Sequence, residues 1–269
     1  MAPSTRRPVP WLLLAASALF FCAAYFTTRF PDVPGAGVGS FVSTLLIALP
    51  SFAALWRFLG PGGATVSLLL LSAFGYTIET TGVATGFPYG PFYYGDSLGP
   101  KVAGLVPYLL PLSWAPLVLG AVAATAPPSR SWRPPRRTLH VLSAAVLLAL
   151  VDGVLDPGAA SLGFWTWPEG GVYYGVPLTN YFGWLLSSAL AAALLLALGR
   201  RRWGRATPPP GMLDSLAIAV AFWVGVAVFS GLLFPALLGA GLFFYLVRRR
   251  AWLVSAGAAR YKAGGRREE

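Results

Sequence analysis

The chain has 269 residues, of which 56% are hydrophobic and 11% charged, and its net charge is +11. A soluble domain carries about 25% charged residues, so 20 basic and 9 acidic side chains exclude a water-soluble fold. Disorder is excluded as well, because a chain this apolar collapses or enters lipid. The mean hydropathy of +0.65 points to an all-α polytopic membrane protein forming one domain over residues 1–269. A single cysteine, Cys22, excludes internal disulfides and Cys-ligated clusters. A single histidine, His140, excludes di-histidine metal sites and a Ser-His-Asp arrangement.

Apolar runs long enough to span a bilayer predict eight helices, near 10–27, 39–56, 64–84, 102–125, 138–156, 180–199, 212–230 and 232–247. The count falls to seven if the last two, joined at Ser230-Gly231, form one broken segment. The first run also has the layout of a signal peptide, with Arg6 and Arg7 ahead of an apolar core, although it is long for one. Basic residues set the orientation. With the N-terminus inside, the inner segments 1–9, 57–63, 126–137, 200–211 and 248–269 hold 18 of the 20 Lys and Arg. Only Arg29 and Lys101 fall outside. Both termini are therefore expected in the cytoplasm of a multi-pass cell-membrane protein, with 248–269 a basic tail. This charge attracts anionic lipid; confined to short loops, it does not make a nucleic-acid surface.

Acids are distributed the other way. Asp32, Glu79, Asp96, Asp152, Asp156 and Glu169 lie in outer loops or the outer halves of spans, whereas Asp214, Glu268 and Glu269 lie inside. The two longest outer connections, 85–101 and 157–179, are rich in Gly, Pro and aromatics and each carries Tyr-Tyr-Gly, at 93–95 and 173–175. Val-Pro follows each, with Trp114 and Trp184 seven residues past the proline. This spacing suggests a parallel repeat of 65–125 and 138–199. Aromatic, Gly-rich backbone at membrane depth is tolerated where it is buried in protein or lines a cavity, so both connections are expected as re-entrant walls of an apolar pocket. An aromatic belt at the interface is the plainer alternative.

Within that frame Glu79 stands in a spanning helix, where a carboxylate is costly and marks function by default. Asp152 and Asp156, at i and i+4, share a helix face. Asp156 precedes Pro157 and is expected at the helix end. Such a pair fits acid–base work, cation binding or capping. Asp96 is expected to cap the fourth span, Glu169 to occupy a turn, and Asn180 to cap the sixth span or hold a polar contact. His140, on the basic side, is expected to be structural. A carboxyl beside aromatic faces can protonate an electron-rich alkene as a general acid, and aromatic rings attract the resulting cation. A second carboxylate then orients water.

These residues resemble the CruF-type carotenoid 1′,2′-hydratases of the carotenoid biosynthesis family. The resemblance rests on Glu79-x-x-Gly82, Pro88-Tyr89-Gly90, Tyr93-Tyr94 and Leu98-Gly99-Pro100. It continues through Asp152-x-x-Leu155-Asp156-Pro157, Trp165-x-Trp167, Tyr173 to Pro177, Asn180 and Gly183-Trp184, covering 70–190 in detail. It implies water addition across the terminal C1′–C2′ double bond of an acyclic carotenoid end group, of lycopene or γ-carotene type. No redox cofactor or metal is implied, and association with other carotenoid enzymes is a further expectation. The residues themselves single out Glu79, Asp152 and Asp156 as catalytic candidates. Glu79 or Asp152 would serve as acid, the other or Asp156 orienting water. Tyr89, Tyr93, Tyr94, Trp165, Trp167, Tyr173, Tyr174, Asn180 and Trp184 are the candidates for holding the substrate. A cyclase-like isomerase and a small-solute or proton-coupled transporter remain open alternatives.

Overall fold

The computed structural model describes residues 11–31, 33–127 and 134–265, with side chains through 257. Expectations concerning Arg6, Arg7, Asp32, Arg130, Arg133 and the end of the basic tail lie outside the described residues.

The chain folds as a helical bundle: α1 Trp11–Arg29, α2 Ala36–Thr85, α3 Leu110–Ala124, α4 Pro134–Ser161, α5 Leu178–Leu198, the single turn α6 Arg200–Trp203, α7 Asp214–Phe229 and α8 Leu233–Gly265. Four two-residue strands lie in the long connections: β1 Tyr93–Tyr94, β2 Lys101–Val102, β3 Val106–Pro107 and β4 Trp165–Thr166. Five helical stretches among the described residues are long and apolar enough to cross a membrane: α1, α2, α4, α5 and Pro210–Phe229.

Several boundaries differ from the sequence expectation, each for a local reason. The segments expected at 39–56 and 64–84 are continuous in α2, whose 50 residues would run about 75 Å if straight. They do not run straight: Gly60, at φ 77° and ψ 168° and followed by Pro61, breaks the helix. The expected inner loop 57–63 is therefore a kink. The expected start of the fourth span at 102 is instead a β2–β3 hairpin with Ala103 and Gly104 at positive φ, and α3 begins only at Leu110. Asp96 consequently does not cap that helix. It is fully exposed in a 3-10 turn and accepts a bond from Lys101 Nζ at 2.8 Å. The Lys101 ammonium holds the Asp96 carboxyl below the usual carboxylate range. Helix α4 runs through Pro157 to Ser161, so Asp156 stands inside the helix and not at its end. Helix α8 continues past Arg248–Arg250 to Gly265.

Contacts between elements define two ends of the bundle. At the basic end, Arg249 Nε and Nη2 donate to the carbonyls of Ala124, the last residue of α3, and Ala126 just beyond it, where helix carbonyls lack partners. Arg250 forks onto Asp214 at 2.6 and 3.1 Å, and Ser51 binds Met212 and Ser215. His140 is buried there, its Nε2 2.8 Å from the Val122 carbonyl. At the opposite end the two aromatic connections meet. Strand β1 pairs antiparallel with β4, Tyr93 opposite Thr166 and Tyr94 opposite Trp165. Glu169 lies exposed in the turn after Trp167.

Candidate functional site

Tyr89 fixes the first aromatic connection against the bundle. It is wedged between α2 and α5 at two glycines: a Cβ on Gly82 would lie 2.7 Å from its ring, and one on Gly183 would lie 2.6 Å from the ring and 2.7 Å from the Pro88 carbonyl. Only the absence of a side chain allows that approach. Trp167 Nε1 donates to the Tyr89 carbonyl at 3.2 Å, tying the second connection to the first. Phe92 completes the packing, edge-on to Tyr89 at 5.9 Å and to Tyr94 at 5.4 Å.

The β1–β4 register then determines what the carboxylates meet. Tyr94 and Trp165, opposite one another with rings 5.8 Å apart, each reach a different acid. Tyr94 OH donates to Glu79 Oε2 at 2.8 Å. Trp165 Nε1 donates to Asp156 Oδ1 at 3.0 Å. A ladder of two residues thus joins a carboxylate on α2 to one on α4. On the same carboxylate's other oxygen, Asn180 Nδ2 donates to Asp156 Oδ2 and also to Asp152 Oδ2 at 2.9 Å. Asp152 and Asp156 therefore share one face, as their i, i+4 spacing predicted, and Asn180 is the amide between them. All four of Glu79, Asp152, Asp156 and Asn180 are buried. Burial of charge is costly unless it is hydrogen-bonded, which is the work these three donors do.

A cavity of about 890 Å³ opens beside this group. Glu79, Asp156 and Asn180 line it, together with Tyr89, Tyr94, Trp165, Trp167 and Trp184. Asp152 does not: it stands behind Asn180, 1% exposed. Tyr93 is exposed on the outer side of its strand. Tyr173 and Tyr174 pack on each other at 5.1 Å, and Tyr173 also on Tyr181 at 6.0 Å, away from the lining. The cavity also takes in Phe92, Trp114, Phe222 and Trp223, none singled out by the sequence as site residues. Phe92 sits in the aromatic connection and was within reach of a composition argument. Trp223, 6.4 Å from Trp165, lies in the apolar run of α7 from Leu216 to Phe229, which gives no local sign of its role.

Among the described residues no group of three His, Cys, Asp or Glu could hold a metal ion. The carboxylates instead meet neutral donors and aromatic faces, a setting for proton transfer to an apolar substrate.

Comparison with known proteins shows the family. A family model described as carotenoid biosynthesis protein matches residues 35–246. A curated relative, bisanhydrobacterioruberin hydratase of Haloarcula japonica, is 42% identical over 206 residues, covering 74% of this chain and 69% of the relative. No solved structure matches the chain. With the family model spanning both aromatic connections and all three buried carboxylates, the chain belongs to the carotenoid biosynthesis protein family, as its motifs suggested.

Proposed function

We propose that this protein is a carotenoid hydratase that adds water across the terminal C1′–C2′ double bond of an acyclic carotenoid end group. The observation that carries the reading is the pair of carboxylates, Glu79 and Asp156, on the wall of one aromatic cavity, and the hydratase relative supports it. Glu79 receives a phenol hydroxyl on one oxygen and presents its carboxyl to the cavity. Asp156 receives two N–H donors, from Trp165 on Oδ1 and Asn180 on Oδ2, so both of its oxygens already act as acceptors.

Glu79 is accordingly the acid and Asp156 the base. The Glu79 proton passes to C2′ as the π bond supplies the electron pair, leaving a tertiary cation at C1′. The rings of Tyr94, Trp165 and Trp223 offer their negative faces to that cation. A water held by Asp156 attacks C1′ and gives its proton to the carboxylate, forming the tertiary alcohol. Return of that proton to Glu79 restores the enzyme, so no electrons or cofactor enter the balance. Asp152 acts through Asn180, holding the amide that orients Asp156. The eight-segment arrangement, α2 counted as two spans with both termini cytoplasmic, and the parallel repeat belong to the same proposal.

Co-expression with a lycopene-producing pathway tests it. Pigments should gain the mass of one water without oxygen, and heavy water should place one deuterium at C2′. Glu79→Gln and Asp156→Asn should each abolish the product at unchanged protein abundance. Wild-type conversion in both variants would overturn the mechanism, and a product of unchanged mass would point to cyclisation.

A further inference from the structure

The cavity is longer than an end group requires. Its wall follows the first half of α2 from Ala36 to Ile47, about 16 Å of helix at 1.5 Å per residue. Facing it is the end of α1, from Ala23 to Phe30. Burial grades along this length. At one end Phe26 is 62% exposed and Gly37, Gly39 and Ser40 are exposed; Ser43 and Thr44 are half-buried; at the other end Glu79 is 5% exposed. One continuous cavity therefore joins an exposed face of helices α1 and α2 to the buried carboxylates.

The glycines of this stretch differ from those of the site. At Gly82 and Gly183 an added Cβ would collide with Tyr89, whereas at Gly37 and Gly39 it would meet nothing within 4 Å. Small residues at the mouth leave room that no other part of the described chain fills. Among the described residues the wall offers apolar surface and a few hydroxyls and has no charged side chain between the mouth and the acids. That selects a long, uncharged, apolar chain and disfavours a diphosphate or a sugar.

We propose that this stretch is a lateral arm of the active site, open to the bilayer between α1 and the first half of α2, which holds the linear isoprenoid chain of the substrate while its end group lies between Glu79 and Asp156. This rests on the hydration reading for the identity of the chain, and the arm's occupancy can be measured without turnover.

In a Cys22→Ser background, Gly39→Cys and Ser43→Cys place thiols in the arm. Phe182→Cys, exposed near the start of α5 and outside the cavity lining, is the control. Purified protein in phosphatidylcholine vesicles is reacted with a small membrane-permeant thiol reagent, with and without lycopene. Lycopene should slow modification at 39 and 43 by about tenfold, the change expected for roughly 90% occupancy, and leave 182 unaffected. Equal rates with and without lycopene would overturn the arm, including the case in which phospholipid chains protect both thiols throughout. Product mass is read from the same vesicles. Protected thiols without any hydrated product would sink the hydration reading while leaving the arm in place.

Discussion

Replacing Asn180 by alanine removes the amide on which two buried carboxylates depend. Its Nδ2 donates to Asp152 Oδ2 at 2.9 Å and to Asp156 Oδ2, and the residue is 2% exposed. Hydrogen bonds to charged groups contribute about 1.5–3 kcal/mol each. A water taking the vacated place recovers part of that, so Asn180→Ala should cost about 2–4 kcal/mol of stability. The loss can be read as a lower unfolding midpoint on titration with denaturing detergent in mixed micelles. The informative step is a double-mutant cycle with Asp152→Asn. That side chain brings its own NH₂ one helical turn from Asp156 and removes one of the two charges needing a donor. The double variant should therefore be more stable than the sum of the singles by about 1–2 kcal/mol, within the range of coupled neighbours. Activity should follow the same order, with Asn180→Ala the worse of the two backgrounds. Additivity within about 0.5 kcal/mol would refute the idea that Asn180 acts by bridging these carboxylates.

Two further outcomes follow from the same geometry. Trp165→Phe keeps a ring against Tyr94 and Trp223 but deletes the Nε1–H that reaches Asp156 at 3.0 Å. Loss of that bond, about 1.5–3 kcal/mol, should lower kcat by roughly 10- to 150-fold with little change in protein abundance, and wild-type turnover in pigment conversion would contradict the assignment. Gly82→Ala and Gly183→Ala should each destabilise by about 1–3 kcal/mol through overpacking on Tyr89, whereas Gly241→Ala, whose Cβ meets nothing within 4 Å, should be neutral or stabilising. Thermal midpoints in detergent separate the three, and equal midpoints would contradict the wedge.

Much of the candidate site was legible because membranes make polar residues conspicuous. Glu79, Asp152 and Asp156 stand out in apolar runs, and the i, i+4 spacing alone put the aspartates on one face. The helix limits were less legible. Pro157 read as a terminus, yet α4 passes through it to Ser161, because a proline in a helix removes one bond that neighbouring helices can offset by packing. The run from 102 read as helix because Val, Ala and Leu are apolar, but Ala103 and Gly104 at positive φ and Pro107 turn it into a hairpin. The paired tyrosines read alike in the two connections. They differ in place because Tyr93-Tyr94 lies in a ladder with Trp165-Thr166 while Tyr173-Tyr174 closes a turn onto Val176.

The sequence by itself determined the solvent and the chemistry available to this protein. Its apolar excess points to a membrane, its basic residues gather in one set of connections, and six of its nine acids fall in or beside the other, aromatic set. These are properties of composition and order, which the cost of burying charge makes decisive. Only the tertiary structure decided which acids share the cavity. Glu79 and Asp156 face it and Asp152 stands behind Asn180. That outcome depends on the close approach of Tyr89 at Gly82 and Gly183 and on the register that sets Tyr94 against Trp165. Both are contacts between segments distant in sequence, whose geometry no local spacing encodes.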